Sequence, residues 1–228
     1  MNKITIVSLA WNNLVLTESF LRRLKAYTDI PFDFIFTDNG SIEPIPQLVK
    51  DYFPNVDLIV KEKNVGCPRT RNEAMERVKT DITFWLDNDT MVGSNWYLPI
   101  LNKLEDPTVG VSGPLGCVVN YPWGQPPFTV VESGDCDYFV GYLVGFKTAA
   151  YKPINDYNIP VNLDDVELCW GVKENGYRAA VSDPCFAKHL TSQTDRGWEA
   201  GDKIQEMWKN WPDKSIFVNY KGGNENIG

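Results

Sequence analysis

Residues 82–90, Ile-Thr-Phe-Trp-Leu-Asp-Asn-Asp-Thr, are the stretch that decides the fold. Residues 82–86 are apolar or β-branched, as in a buried strand, and the run ends abruptly on Asp87 and Asp89. In an open α/β sheet, ligands bind at the carboxyl ends of the strands, so these two carboxylates point to the ligand crevice. Carboxylate oxygens on one short turn suit a hard divalent cation. The alternative is a solvated polar turn, because Asp and Asn favour turns.

Strand and helix patterns alternate on the N-terminal side of this stretch. Such alternation predicts an α/β fold with a Rossmann-like, doubly wound and mostly parallel sheet with right-handed crossovers. The predicted elements are strand 4–9, helix 14–27, strand 32–37, helix 45–52, strand 56–60, a helix from the turn at 64–72 through Val78, strand 82–86 and helix 94–104 with Ser94 as its N-cap.

The C-terminal half is less regular, and we expect a mixed arrangement there. We predict strands at 109–114 and 177–181 and a helix at 162–175, and Gly141 and Gly145 indicate close backbone contact between strand-forming residues. We expect one domain over 1–220, with halves 1–105 and 106–220 binding donor and acceptor respectively. The remaining expectations are an aromatic, Pro-rich loop at 120–128, an amphipathic tail at 198–211 and a disordered end at 221–228.

Composition narrows the class of protein. The 228 residues carry a formal net charge of −8, which argues against a broad nucleic-acid-binding surface, because such surfaces are usually basic. The five cysteines are scattered without a CxxC pair, as is typical of reduced thiols. No apolar run approaches the roughly 18 residues of a transmembrane helix. We therefore expect a cytoplasmic protein with no transmembrane segment.

Further acidic side chains are predicted at the ends of other elements. Asp38 follows a strand, whereas Asp164, Asp165 and Glu167 open a helix. Carboxylates are favoured at helix N-termini by the helix dipole, so simple capping is an alternative for that cluster. The single histidine, His189, follows the last predicted strand, and it becomes a candidate metal ligand only beside other ligands.

Seven motifs resemble, in order and spacing, those of family 2 glycosyltransferases over roughly residues 3–190. They are Asn12, Asp-Asn-Gly-Ser at 38–41, Asn-Val-Gly at 64–66, Arg71-Asn72, Leu-Asp-Asn-Asp at 86–89, Asp-Asp-Val-Glu at 164–167 and Gly176-Tyr177. The resemblance implies the GT-A fold, a nucleotide-diphosphate sugar as donor substrate, most simply a UDP-sugar, and a bound Mn²⁺ or Mg²⁺.

The resemblance also assigns residues to the donor. It implies that Asp38 binds the nucleotide base beside the backbone of Leu9, and that Arg71 lies near the diphosphate. The residues it places around the donor are Leu9, Asn12, Asp38, Asn64, Gly66, Arg71, Asp87, Asn88 and Gly141, the last lying where the family's acceptor loop is expected.

The chemistry implied by the resemblance depends on a smaller set. Asp87 and Asp89 correspond to the DxD motif, and His189 resembles the late histidine that completes the metal shell. Asp165 corresponds to the general base of inverting members, and Asp164 stands where the family has Glu. The Gln-x-x-Arg-Trp motif of processive polysaccharide synthases is absent, which favours a single transfer to a hydroxyl.

Several alternatives remain at this level. A nucleotidyltransferase would have a Gly-rich phosphate loop after the first strand, and Ala10-Trp11-Asn12-Asn13-Leu14 is not one. A non-catalytic sugar-nucleotide-binding module and a retaining enzyme of the same fold also stay open. The acceptor is a glycan or, less readily, a lipid, a protein or a modified DNA base.

Overall fold

The computed structural model describes residues 3–120, 128–154, 164–190 and 218. The predictions for most of the aromatic loop, for the amphipathic tail at 198–211, for the end at 221–228 and for the first two residues of helix 162–175 lie outside these ranges. None of the helices in the described part of the chain has the length and apolar character that crossing a bilayer requires.

The first half forms a regular α/β layer in which β4, β1, β2 and β3 are neighbouring parallel strands. Their carboxyl ends therefore share one edge of the sheet, where ligands of such sheets bind. The elements are β1 (Ile4–Ala10), α1 (Leu14–Tyr27), β2 (Phe32–Asp38), α2 (Ile45–Tyr52), β3 (Asp57–Val60), α3 (Cys67–Met75) and β4 (Ile82–Leu86).

The rest of the chain extends the sheet and adds two smaller ones. Its elements are β5 (Thr90–Val92), α4 (Leu98–Leu104), β6 (Val109–Gly113), β7 (Gly116–Val119), β8 (Phe128–Val131), β9 (Tyr138–Phe139), β10 (Leu143–Lys147), a 3-10 turn (Thr148–Ala150), α5 (Asp164–Glu174), β11 (Arg178–Val181) and β12 (Ala187–His189). The main sheet has the order β11-β6-β10-β4-β1-β2-β3, with β10 antiparallel to both neighbours. The predicted mostly parallel sheet with a mixed second half is confirmed.

Strand β4 separates two hydrophobic cores because successive side chains of a strand face opposite sides of the sheet. Phe84 packs with the residues of α1 and α4, and Trp85 packs with those of α5. Both rings are fully buried, and burial of a large apolar side chain stabilises the fold by about 1.5–3 kcal/mol. The tip of β4 is therefore held rigidly from both faces.

The close backbone contact expected at Gly145 is also present. A Cβ at this position would lie 2.6 Å from Ile100 Cγ2 and 2.9 Å from Phe84 Cε1. Only glycine therefore lets α4 pack this closely on β10.

Two predicted helix bounds were wrong. Helix α4 begins at Leu98 and not at Ser94, because Asn95 adopts a left-handed φ of 57° that no helix interior tolerates, and Pro99 suits a first turn. Helix α3 ends at Met75 and not at Val78, since the Val78 N–H bonds to the Met75 carbonyl three residues back and tightens the last turn.

Candidate active site

Asp87 and Asp89 occupy the tight turn that joins β4 to β5. The Asp87 N–H donates to the Tyr142 carbonyl at 3.0 Å, and the Thr90 N–H donates to the Asp87 carbonyl at 3.0 Å. These bonds hold both carboxylates at the carboxyl end of β4. The predicted strand that stops on paired acids is therefore present, and it ends at the ligand-binding edge of the sheet.

The pairing of β12 with β5 adds His189 to this turn. His189 lies opposite Thr90 in the antiparallel register, and its Nε2 lies 3.2 Å from Asp89 Oδ1. The His189 ring stacks on the Tyr142 ring, with centroids 4.8 Å apart and planes 10° apart. Three candidate ligand atoms, one each from Asp87, Asp89 and His189, lie within 4.8 Å of one another.

This cluster fits a divalent transition metal. Asp89 Oδ1 is buried, and its 3.2 Å contact with His189 Nε2 brings two candidate ligand atoms together. Two carboxylates and an imidazole are ligands that Mn²⁺ accepts, and three protein ligands leave further positions for phosphate oxygens. Burial would lower the pKa of His189, but the neighbouring Asp89 carboxylate outweighs burial and raises it.

Arg71 lies between two carboxylates at the centre of the site. Its Nη2 donates to Asp87 Oδ1 at 2.8 Å, its Nε lies 2.7 Å from Asp164 Oδ2, and its guanidinium packs over the Trp85 ring, 4.4 Å from the centroid. Burial disfavours the charge of this guanidinium, but Asp164 and Asp87 outweigh burial and raise the pKa of Arg71. The arginine is therefore a permanent cation inside the protein.

Asp87 has a pKa above the usual range of a carboxyl group. Although 34% of its side chain remains exposed, burial raises the pKa of Asp87 to about 6, against the opposing effect of Arg71. The negative charges of Asp89 and Asp164 act in the same direction as burial. A bound cation would relieve this crowding of negative charge.

Asp165 lies in the first turn of α5, beside Asp164. Its Oδ2 accepts a hydrogen bond from the Gly141 N–H at 2.9 Å, and its Oδ1 accepts one from the Val166 N–H at 2.8 Å. Burial and, next, the charge of Asp164 raise the pKa of Asp165 to about 7. A carboxyl group with a pKa near neutrality can take up a proton efficiently at neutral pH.

Gly141 is required at this position because of the carboxylate that it faces. A Cβ on Gly141 would lie 2.7 Å from Asp165 Cβ and 2.8 Å from Asp165 Oδ2, which is closer than real side chains approach. The predicted close backbone passage at Gly141 is therefore present, and it occurs against the candidate base.

The loops after β1 and β2 lie at the same edge of the sheet as the turn with Asp87 and Asp89, because β1 pairs in parallel with both β2 and β4. Asp38 is 2% exposed at the tip of β2, and its Oδ1 accepts a hydrogen bond from the Ser41 N–H at 3.1 Å. Asn12 adopts a left-handed φ of 60°; its N–H donates to Ser41 Oγ at 2.7 Å and its Oδ1 accepts from the Ile42 N–H at 2.9 Å. Leu9 pairs with Thr37 between these two loops.

Asn64 and Gly66 form the loop that leads into α3. Asn64 Oδ1 accepts hydrogen bonds from the Gly66 N–H at 2.9 Å and from Asn39 Nδ2 at 3.0 Å. Gly66 precedes the first residue of α3 with a φ of 89°, a conformation that favours glycine. These contacts tie the loop to the tip of β2, where Asp38 lies.

Asn88 is placed apart from the other candidate residues. Its Nδ2 donates to Thr17 Oγ1 at 3.0 Å, so its side chain faces α1. Sequence reasoning missed two contributors: Tyr142 and the ion-pairing role of Asp164. Asp164 and Asn39 were visible only as members of motifs, and no local pattern distinguished Tyr142.

Residues 5–152 of the chain match the protein family described as "Glycosyl transferase family 2". A teichoic acid poly(glycerol phosphate) polymerase from Staphylococcus epidermidis is 27% identical over 143 residues, which is 61% of this chain. A pre-mycofactocin glycosyltransferase from Mycobacterium tuberculosis is 21% identical over 215 residues, which is 83% of this chain. The chain spans only 19% and 45% of the length of these two relatives, respectively.

Solved structures share the fold at low sequence identity. A mannosyltransferase from Pyrobaculum calidifontis, in complex with GDP-Man and Mn²⁺, superimposes with a TM-score of 0.65 at 19% identity, over 85% of this chain and 58% of that one. GalNAc-T7 with UDP, GalNAc and Mn²⁺ gives 0.69 at 12% identity, over 87% and 45%. The fold is that of GT-A glycosyltransferases, and the chain belongs to glycosyl transferase family 2.

Proposed function

We propose that this protein is a metal-dependent, inverting glycosyltransferase that moves a sugar from a nucleotide-diphosphate donor to an acceptor hydroxyl. The observation that carries the proposal is the placement of Asp165, whose pKa is raised to about 7, across Arg71 and Asp164 from the Asp87–Asp89–His189 cluster. Sugar transfer to a hydroxyl needs both a set of metal ligands and a proton acceptor at one site.

The donor would lie along the carboxyl ends of β1, β2 and β4. Asp38 offers a buried carboxylate for a nucleobase N–H, and the backbone of Leu9 and the loops at Asn12 and Asn64 flank it. We expect a UDP-sugar, with GDP-sugars as the second class to test, because structures with this fold contain UDP or GDP-Man together with Mn²⁺.

Asp87, Asp89 and His189 would hold Mn²⁺ or Mg²⁺. When bound, the ion neutralises charge that develops on the departing diphosphate. Asp165 accepts the proton of the acceptor hydroxyl as that oxygen attacks the anomeric carbon. The bond from the anomeric carbon to the phosphate oxygen breaks, and its electron pair leaves with the nucleoside diphosphate. Attack from the face opposite the leaving group inverts the anomeric configuration.

The domain assignment remains part of this proposal. We assign residues 1–220 to one domain, with the donor on 1–105 and the acceptor on 106–220. In the described residues, Asp165 and Gly141 come from the second half, and the metal carboxylates come from the first. The acceptor hydroxyl would therefore reach the donor from the side on which α5 begins.

A donor panel tests the proposal. The chain with Mn²⁺ is incubated with UDP- and GDP-sugars, and the release of nucleoside diphosphate and the thermal shift are measured, since a ligand that binds only the native state must stabilise it. We expect one donor class to stabilise the protein and to release nucleoside diphosphate, with EDTA abolishing both effects. Binding without release would favour a sugar-nucleotide-binding module, and full activity in EDTA would contradict the metal site.

A further inference from the structure

Two consecutive residues of α3 contact the chain on either side of residues 155–163. Asn72 Oδ1 accepts a hydrogen bond from the Ile154 N–H at 2.9 Å, and Asn72 Nδ2 donates to the Ile154 carbonyl at 2.6 Å. Arg71 Nε lies 2.7 Å from Oδ2 of Asp164, which is the residue before the candidate base Asp165. Helix α3 thus holds the chain where it enters and where it leaves this segment.

The other end of the Arg71 guanidinium contacts the turn that joins β4 to β5 and carries Asp87 and Asp89. Its Nη2 donates to Asp87 Oδ1 at 2.8 Å, its side chain is only 6% exposed, and the plane packs over the buried Trp85 ring. A planar guanidinium with two directions of contact fixes the relative position of two carboxylates, which a lysine ammonium cannot do. Asp164 is 7% exposed, so this ion pair is shielded from water.

We propose that Arg71 is a positioning residue that sets Asp165 relative to Asp87, acting through its ion pair with Asp164. Arg71 contacts a protein carboxylate on each of two sides, Asp87 through Nη2 and Asp164 through Nε, and in this way holds the two halves of the site in register. Asn72 supports this role by fixing Ile154. The inference rests on the proposed function and deepens it.

Electrostatics favours the same assignment. Asp164 and Asp165 are adjacent carboxyls, and the charge of Asp164 is the second cause of the raised pKa of Asp165. Arg71 forms an ion pair with Asp164, and its positive charge lowers the pKa of Asp165. Without this cation, the carboxylates of Asp164 and Asp165 would repel each other and would also repel the carboxylate of Asp87. Removing one partner of a buried ion pair leaves the other charge uncompensated.

The first test is Asp164→Asn, with Glu174→Gln as the matched control. Both changes convert an ion-paired carboxylate of α5 into an amide, but Glu174 pairs with Lys152 at the far end of the helix. For Asp164→Asn we expect kcat for nucleoside diphosphate release to fall by about tenfold or more, with UDP or GDP affinity in Mn²⁺ within about twofold of wild type. Glu174→Gln should change neither quantity.

Arg71→Lys provides the second variant. It keeps the charge but cannot contact Asp87 and Asp164 together, so it should lower kcat as Asp164→Asn does. Because the two residues act as one unit, the double variant should lose little more than either single variant. Wild-type kcat in Asp164→Asn, a loss confined to donor KM, or fully additive losses would each overturn the inference.

A readout that does not depend on activity separates this inference from the proposed function. Deuterium uptake at the backbone amides of 164–168 should rise in Asp164→Asn and Arg71→Lys but not in Glu174→Gln, because the first turn of α5 loses its anchor. Unchanged uptake there overturns the inference even if the enzyme is active. A wild-type protein that binds neither UDP nor GDP overturns the proposed function, while the uptake result still decides the anchoring.

Discussion

Gly141 donates its backbone N–H to Asp165 Oδ2 at 2.9 Å, and a methyl group on Gly141 would lie 2.8 Å from the same oxygen. Gly141 thus hydrogen-bonds the candidate base Asp165, and the contact is so close that no side chain larger than a hydrogen atom fits at position 141. The contact joins the segment before β10 to the start of α5. It makes the position of the carboxylate depend on a single glycine.

The first prediction concerns Gly141→Ala. The added methyl must displace Asp165 or the backbone, and misplacement of a reacting group by about 1 Å costs on the order of 100-fold in rate. We expect a loss of transfer of about 10- to 100-fold, with UDP or GDP affinity unchanged. The control is Gly171→Ala in α5, where the nearest contact of the new Cβ is an ordinary 3.5 Å. Weakened nucleotide binding in Gly141→Ala would instead place this residue on the donor.

The second prediction concerns the proton acceptor. Asp165→Asn keeps the size of the side chain but cannot take up a proton, so transfer should fall by on the order of 100- to 10,000-fold while nucleotide binding persists. The measurement is kcat together with binding of UDP or GDP in Mn²⁺. Wild-type kcat in this variant would exclude Asp165 as the base.

The pH profile follows from the same carboxyl group. The base acts only when deprotonated, and burial raises its pKa to about 7. The wild-type rate at saturating Mn²⁺ should therefore rise with pH up to about 7 and level off above it. The residual rate of Asp165→Asn should lack this step. A wild-type rate that is already constant from pH values well below 7 would contradict the assignment.

The metal prediction concerns Asp89. Its buried Oδ1 lies 3.2 Å from His189 Nε2 in the proposed ligand cluster, and Asp89→Asn turns this carboxylate into a neutral amide. We expect Mn²⁺ affinity, measured by calorimetry in the presence of UDP, to fall by more than about tenfold, since even outer-shell partners of metal ligands contribute about 10- to 100-fold. Asp57→Asn, on the exposed end of β3, is the control and should bind Mn²⁺ normally.

The last prediction concerns stability away from the site. Asp137 is fully buried, and its Oδ1 accepts hydrogen bonds from Lys173 Nζ and from the Val218 N–H, each at 2.8 Å. Lys173→Met leaves this carboxylate without its cation, so the free energy of unfolding should fall by about 3–5 kcal/mol. Arg77→Gln breaks the exposed pair with Asp57 and should cost less than about 1 kcal/mol. Chemical denaturation of both variants measures the difference.

The fold was predictable because its signals are local. The buried runs at 4–10 and 82–86 and the helical spacing at 14–27 place four parallel strands and their helices, since each pattern extends over several residues. The start of α4 and the end of α3 were not predictable to the residue, because the backbone conformation of single residues, such as Asn95, decides them. The short strands β5 and β12 carry no periodic pattern at all.

The sequence by itself determined that two carboxylates end a central strand and that Asp164 and Asp165 open a helix, because strand and helix periodicity place such residues at element ends. Only the tertiary structure decided which of them meet. The antiparallel pairing of β12 with β5 brings His189 within 3.2 Å of Asp89, and Arg71 bridges Asp87 to Asp164. These contacts join residues far apart in the chain, so they depend on packing and strand register, which no local pattern contains.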